Sequence, residues 1–282
     1  TRDSGLVISD NNADKEKYKG QTTVGTDLVG NQFVWIPVDN IENYKRTAYS
    51  TNFATGTIDS TTNSEQIRLI RSRSYYFTEA LPEDEKASVK KNKGYYIGRY
   101  EAGDKDSTEA KTLRASGAST SNTVTFKALQ APYNFVTKTQ AQSLAEGFST
   151  KQGYTSVTSK LVSSYAWDTA ITFTKINEKP FGNYLNTRLY NIKDITGANK
   201  TKLPGSGGTL IPTGQTPALC NIYDMGGNVW EWTTESYSAT VSPYTIRGGS
   251  CEDDFALHPA GYRSGGSDTA SGHVGFRCTL YL

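Results

Sequence analysis

The sequence predicts an α+β fold, loop-rich and irregular, from three observations. Strand-like apolar stretches are short, only two stretches carry helical spacing, and the cores must be built largely from aromatic rings. Hydrophobic residues are 35% of 282 and the mean hydropathy is −0.57, low for this length. Against that stand 18 Tyr, 10 Phe and 4 Trp, whose rings bury large areas while a tyrosine hydroxyl stays polar. More irregular backbone than in the average domain is therefore expected.

Gly5-Leu6-Val7-Ile8 reads as a short strand and residues 11–26 as a polar loop. Gln32 to Val38 reads as a strand ended by Pro37, which cannot donate to a ladder. Residues 39–64 carry no period, and an excursion of that length inside a domain is expected to be packed or functional. Residues 79–93 hold an acidic run, Glu83-Asp84-Glu85, and the lysines Lys90, Lys91 and Lys93, read as a solvated face or loop. Gly94 to Glu101 is an aromatic strand, and 103–122 a polar insertion. Thr137 or Thr139 caps a helix through about Ala145, ending near Gly147. Val157, Leu161, Tyr165, Trp167 and Ile171 suggest a second helix over 157–173, with Trp167 in the core. Residues 177–220 are loop-rich, and the C-terminal third is Gly-rich with short strands. A single domain over 1–282 is the expected organisation.

Charge is uneven. Beyond Lys202, three arginines (Arg247, Arg263, Arg277) face seven acids, a net −4. Such a region repels phosphates, which argues against nucleic acid as its ligand. No stretch of apolar residues is long enough for a membrane-spanning helix, so no membrane insertion is expected. The opening Thr1-Arg2-Asp3-Ser4-Gly5 does not read as a signal peptide; cell surface, secretion and a phage virion all stay open as locations. Cys220, Cys251 and Cys278 form no metal-binding spacing, and an odd count leaves at least one thiol unpaired within the chain.

Three C-terminal segments carry a specific signal: Asn221-Ile222-Tyr223-Asp224-Met225-Gly226-Gly227-Asn228-Val229-Trp230-Glu231-Trp232, then Arg247-Gly248-Gly249-Ser250, then Val274-Gly275-Phe276-Arg277-Cys278. In this order they resemble the C-terminal signature of the formylglycine-generating (sulfatase-modifying-factor) family. The first segment is highly specific and the others are weak alone. The resemblance implies a C-type lectin fold of the formylglycine-generating-enzyme type, with two helices and short antiparallel strands. On the residues themselves, Gly226, Gly227 and Asn228 permit a tight turn with positive φ. Trp230 and Trp232 fall on one side of a strand as core anchors. Two carboxylates and exposed turn carbonyls suit a hard cation. The resemblance implies a structural calcium held by the Asp224 and Glu231 side chains and the Gly227 and Val229 carbonyls. The other reading is that both acids bond turn amides, and Asp224 departs from the asparagine usual in the family.

The resemblance also supplies a test for catalysis. Formylglycine generation needs a cysteine pair that binds copper, and the matching positions here are Asp253 and His258. Cys251 sits at another offset with no second cysteine near it, so the thiolate pair is missing. The related non-haem iron enzymes use three histidines, and this chain has only His258 and His273. No redox metal and no enzyme activity are expected. The triplet Glu252-Asp253-Asp254 is the one remaining acid/base candidate, read as solvated.

Residues 251–273 lie between the second and third motifs and show neither period. Their layout resembles the variable proteins of diversity-generating retroelements, found in bacteria, phages and prophages, in which template adenines are mutated. Of the 23 residues, only Glu252 lies outside the set that such codons reach. The resemblance implies a ligand-binding region in which Phe255, Leu257 and Tyr262 give apolar contact, or else fill a local core. Asp253, Asp254, His258, Asp268 and His273 give polar specificity, with Cys251, Glu252 and Ser264 also on the face. The expected function is non-catalytic binding of a protein or glycan on another cell or surface. The rivals are a family enzyme of unrecognised chemistry and a structural surface or virion protein.

Overall fold

The computed structural model describes residues 2–47, 77–107, 114–177, 210–215, 218–237, 243–252 and 260–282. Among these, five strands form one antiparallel sheet in the order β1-β2-β4-β13-β8, with β1 at Val7–Ser9, β2 at Gln32–Pro37, β4 at Gly94–Gly98, β8 at Thr158–Leu161 and β13 at Cys278–Tyr281. The second sheet runs β11-β10-β9-β12: β9 is Trp230–Tyr237, β10 Tyr244–Arg247, β11 Arg263–Gly266 and β12 Val274–Phe276. The short β3 (Phe77–Thr78) extends it on the far half of β9. A small third sheet joins β5 (Gly103–Asp104) to β6 (Val124–Thr125) and β7 (Ala131–Pro132).

The α+β class and the short strands agree with the sequence, with two corrections. First, β12 runs parallel to β9, pairing Val274, Gly275 and Phe276 with Trp230, Glu231 and Trp232, so the strands are not all antiparallel. Second, four helices are present among the described residues where two were expected: α1 (Glu83–Asn92), α2 (Lys138–Glu146), α3 (Phe148–Gln152) and α4 (Ser164–Asn177).

Helix α1 covers the stretch read as solvated. Its acids lie in the first turn and Lys90 and Lys91 in the last, which complements the helix dipole. Its Glu85 is buried and accepts from the Tyr44 and Ser163 hydroxyls, each at 2.9 Å. Helix α2 begins as expected at Thr137, which forms a capping box with Gln140, and ends at Gly147. The second expected helix is a strand followed by a helix. Thr158–Leu161 pairs with β13, and α4 begins at Ser164, whose N–H is capped by the distant Glu79 carboxylate at 2.8 Å. The expected excursion over 39–64 lies mostly outside the described residues.

Alternation along the first sheet feeds two cores. Val34, Ile36, Tyr95 and Ile97 pack with Val89 of α1 and with Ala166, Trp167, Ala170 and Ile171 of α4. Phe33, Leu161, Cys278 and Leu280 face the other way, onto Leu144 of α2, Phe148 of α3, and Trp230, Trp232 and Phe276 of the second sheet. Arg277 alone separates β12 from β13, so the chain crosses from the second sheet to the first at one residue.

Candidate functional site

The turn that precedes β9 is built as its glycines and asparagine foretell. Asp224, Gly227 and Asn228 all have left-handed φ, at 59°, 82° and 59°. Asn228 is buried and works as a clamp. Its Oδ1 accepts from Ile211 N at 3.0 Å, and its Nδ2 donates to Ile211 O at 3.0 Å and to Glu101 Oε1. Gly227 N donates to Gly248 O and Cys251 N to Asn228 O, both at 2.9 Å. The turn is thereby tied to the Arg247–Ser250 motif.

Of the residues expected to hold calcium, the two acids meet protein donors. Both Glu231 oxygens accept from Arg277, Oε2 from Nε at 2.6 Å and Oε1 from Nη2 at 2.5 Å. Asp224 Oδ2 accepts from Gly214 N at 2.7 Å. Among the described residues, no group of three or more His, Cys, Asp or Glu side chains is placed to hold a metal. The alternative reading, that both acids bond turn amides, fits Asp224, which accepts from a backbone N–H, while Glu231 is a buried ion pair. Glu101 lies beside them with Oε2 buried and without a hydrogen-bond partner among the described residues. Burial, followed by the neighbouring Asp224 and Glu231 charges, pushes its carboxyl well above the usual range.

The segment 253–259 lies outside the described residues, and with it Asp253, Asp254, Phe255, Leu257 and His258. Its two roots are described. On the N-terminal side Cys251 is buried with Leu210 and Val229, and Glu252 N donates to Ser250 Oγ at 3.3 Å. On the C-terminal side three side chains hold four successive residues. The Trp167 indole N–H donates to Ala260 O at 2.8 Å. Arg247 donates to Gly261 O at 3.1 Å and Tyr262 O at 2.9 Å. Arg263 turns inward to Asp168 and Glu235, with Nε 3.0 Å from both Glu235 oxygens.

Those contacts belong to one network. Asp168 also pairs with Arg247 at 2.6 Å and accepts from Thr47 N at 2.9 Å, while Arg46 bridges Glu235 and Phe77 O. Asp168, Glu235 and Arg247 are fully buried, and the Arg263 side chain is 12% exposed. Burial opposes the Arg263 charge, but Asp168 and Glu235 outweigh it and hold the guanidinium above its ordinary value.

The remaining candidate residues divide. Glu252 is exposed, and Tyr262, Ser264 and His273 are half-buried. His273 Nε2 lies 3.2 Å from Glu252 Oε1, so the two ends of the 251–273 region meet at the surface. The Tyr262 ring centroid is 6.0 Å from that of Trp230; the residue both packs on the core and shows an edge to solvent. One expectation is corrected. Cys251 points into the interior, because Leu210 and Val229 enclose it. Asp268 is exposed, but its carboxylate is engaged at the N-terminus of α2, where it accepts from Thr139. The glycines of β11 are also explained. A Cβ at Gly265 would lie 2.4 Å from the Tyr237 ring, and one at Gly266 2.7 Å from the Trp232 ring.

Sequence reasoning missed Arg46, Asp168 and Glu235, the partners of the motif arginines. The available signal was the pair Trp167-Asp168, an acid next to a core tryptophan, which needs a buried cation. The position of that cation, 79 residues away at Arg247, has no local signature.

The chain matches the family described as "Sulfatase-modifying factor enzyme 1-like domain" over residues 37–281. It is similar to the protein of the solved structure "Crystal Structure of CarF", at 16% identity and a TM-score of 0.45, over 67% of this chain and 87% of that one. It is similar to PvdO from Pseudomonas aeruginosa, at 14% identity and a TM-score of 0.45, over 92% of this chain and 98% of that one. The same identity, score and coverage hold for Treponema denticola variable protein 1.

Proposed function

The chain belongs to the sulfatase-modifying factor enzyme 1-like family, and from that membership we propose that it is a non-catalytic variable protein. Its 251–273 region, rewritten by a retroelement, binds a protein or glycan partner. The observation that carries this reading is the anchoring of both roots of the 253–259 segment. Cys251 is buried on one side, and Trp167, Arg247 and Arg263 hold residues 260–263 on the other. Residues between rigidly held roots can change identity without changing the scaffold, as recognition loops do.

The family's cysteine chemistry has no counterpart in this chain. All three cysteines are buried, and burial pushes the Cys278 thiol well above its ordinary value, the opposite of a reactive thiolate. With two histidines in the chain, a three-histidine iron site cannot form either.

The reading is tested by sequencing the coding region in many isolates and examining its neighbourhood. The expected result is a reverse-transcriptase gene, a near-copy of the region encoding residues 240–280, and substitutions concentrated at template adenines within 251–273. Substitutions spread evenly along the gene, with no template copy, would overturn it.

A further inference from the structure

The signature turn contains two carboxylates, Asp224 and Glu231, with Glu101 beside them on Asn228, each no more than 1% exposed. The group that meets Glu231 there is a guanidinium. Arg277, itself fully buried, binds both Glu231 oxygens and also donates to Gly98 O and Tyr223 O, each at 3.1 Å. Its guanidinium carbon lies 5.6 Å from the centre of the Trp167 ring. Two carboxylate oxygens and two carbonyls is the kind of oxygen set a hard cation gathers, but here an arginine has gathered it.

We propose that Arg277 is the cation of the signature turn in this chain, and that the turn forms and holds without calcium. A guanidinium suits this place for two reasons. Its planar fork matches a carboxylate with two parallel bonds. It is also more weakly hydrated than an ammonium, so it enters a buried site at lower cost. Calcium needs six to eight oxygens. Of the expected calcium ligands, the two Glu231 oxygens are bound to Arg277 and Asp224 Oδ2 accepts from Gly214. The arginine also acts on both sheets at once. It sits between β12 and β13, and it reaches β9 through Glu231 and β4 through Gly98.

The experiment is thermal unfolding of the wild-type chain in excess calcium chloride and in EGTA, beside calorimetric titration of calcium chloride into the EGTA-treated protein. The expected result is the same Tm in both buffers and no saturable heat. A calcium site filled at about 100 times its Kd raises Tm by several degrees in a chain of this size. A rise of that size in the wild-type chain, with saturable heat, overturns the proposal. The decisive comparison uses the unmodified chain, so it does not depend on any variant folding.

Discussion

Asp268 closes the N-terminus of helix α2 from outside the helix, accepting from the Thr139 backbone N–H at 3.2 Å and from the Thr139 hydroxyl at 2.8 Å. Burial pushes its carboxyl up, but the hydrogen bonds from Thr139 and from the neighbouring Lys138 and Thr137 outweigh that, and it sits below the ordinary 3.8. A depressed folded-state pKa contributes stability above the unfolded value, lost as pH falls through the folded one. Asp268→Ala should therefore lower stability at neutral pH by about 0.5–1 kcal/mol, as loss of an exposed cap does. Urea unfolding should show the gap to wild type closing as the pH falls through and below the ordinary carboxylate range. A gap that persists in acid would mean that the carboxylate is not the stabilising group.

Arg263 is the residue whose loss should do most damage at the root over residues 260–263. Asp168 and Glu235 are fully buried, and Arg263 contacts both. Arg263→Ala strands buried charge and should cost roughly 3–5 kcal/mol. Arg263→Lys restores the charge without the fork that spans two carboxylates, so it should recover only part of the loss. Denaturant midpoints for the two variants check the order.

Trp230→Ala should destabilise by roughly 3–5 kcal/mol, the usual cost of removing a large buried ring. Trp230 is 8% exposed and packs with Trp232 and Phe276 in the second core. An unchanged Tm would remove it as an anchor.

Glu252→Ala should behave differently. Its pair with His273 is exposed, at 51% and 38% of the side chains, and such pairs contribute little. Stability should stay within about 0.5 kcal/mol of wild type. The same variant should alter binding once a partner is in hand, and a large fall in Tm would show that the pair is structural instead.

How much of this was legible in the sequence depended on how local each cause is. The strands β2 and β4, the Thr137 cap and the turn before β9 follow from neighbouring residues, and all lie where the sequence places them. Helix α1 escaped because Val89 is its one buried apolar residue of β-branched or larger size, and its other buried side chain, Glu85, is held by the distant Tyr44 and Ser163. Strand β8 was read as helix because Val157 and Leu161 are four apart, a spacing that an alternating strand also satisfies. At the site, the arginine motifs were visible but their partners were not. Arg46, Asp168, Glu235, Arg247 and Arg263 span most of the chain, and only the fold brings them together. The second role of Asp268 was hidden for a similar reason: an acid in a Gly/Ser-rich loop gives no sign that a helix end, 129 residues earlier, will need it.

The two glycines of β11 set a limit on the proposed diversity. Tyr237 and Trp232 lie flat where any side chain at 265 or 266 would have to go. Under the proposed diversification, a chain with another amino acid written at either codon would have to repack or fail. On that proposal the working repertoire is smaller than the encoded one, and an alignment of surviving chains should show an unbroken Gly-Gly step inside an otherwise changing stretch.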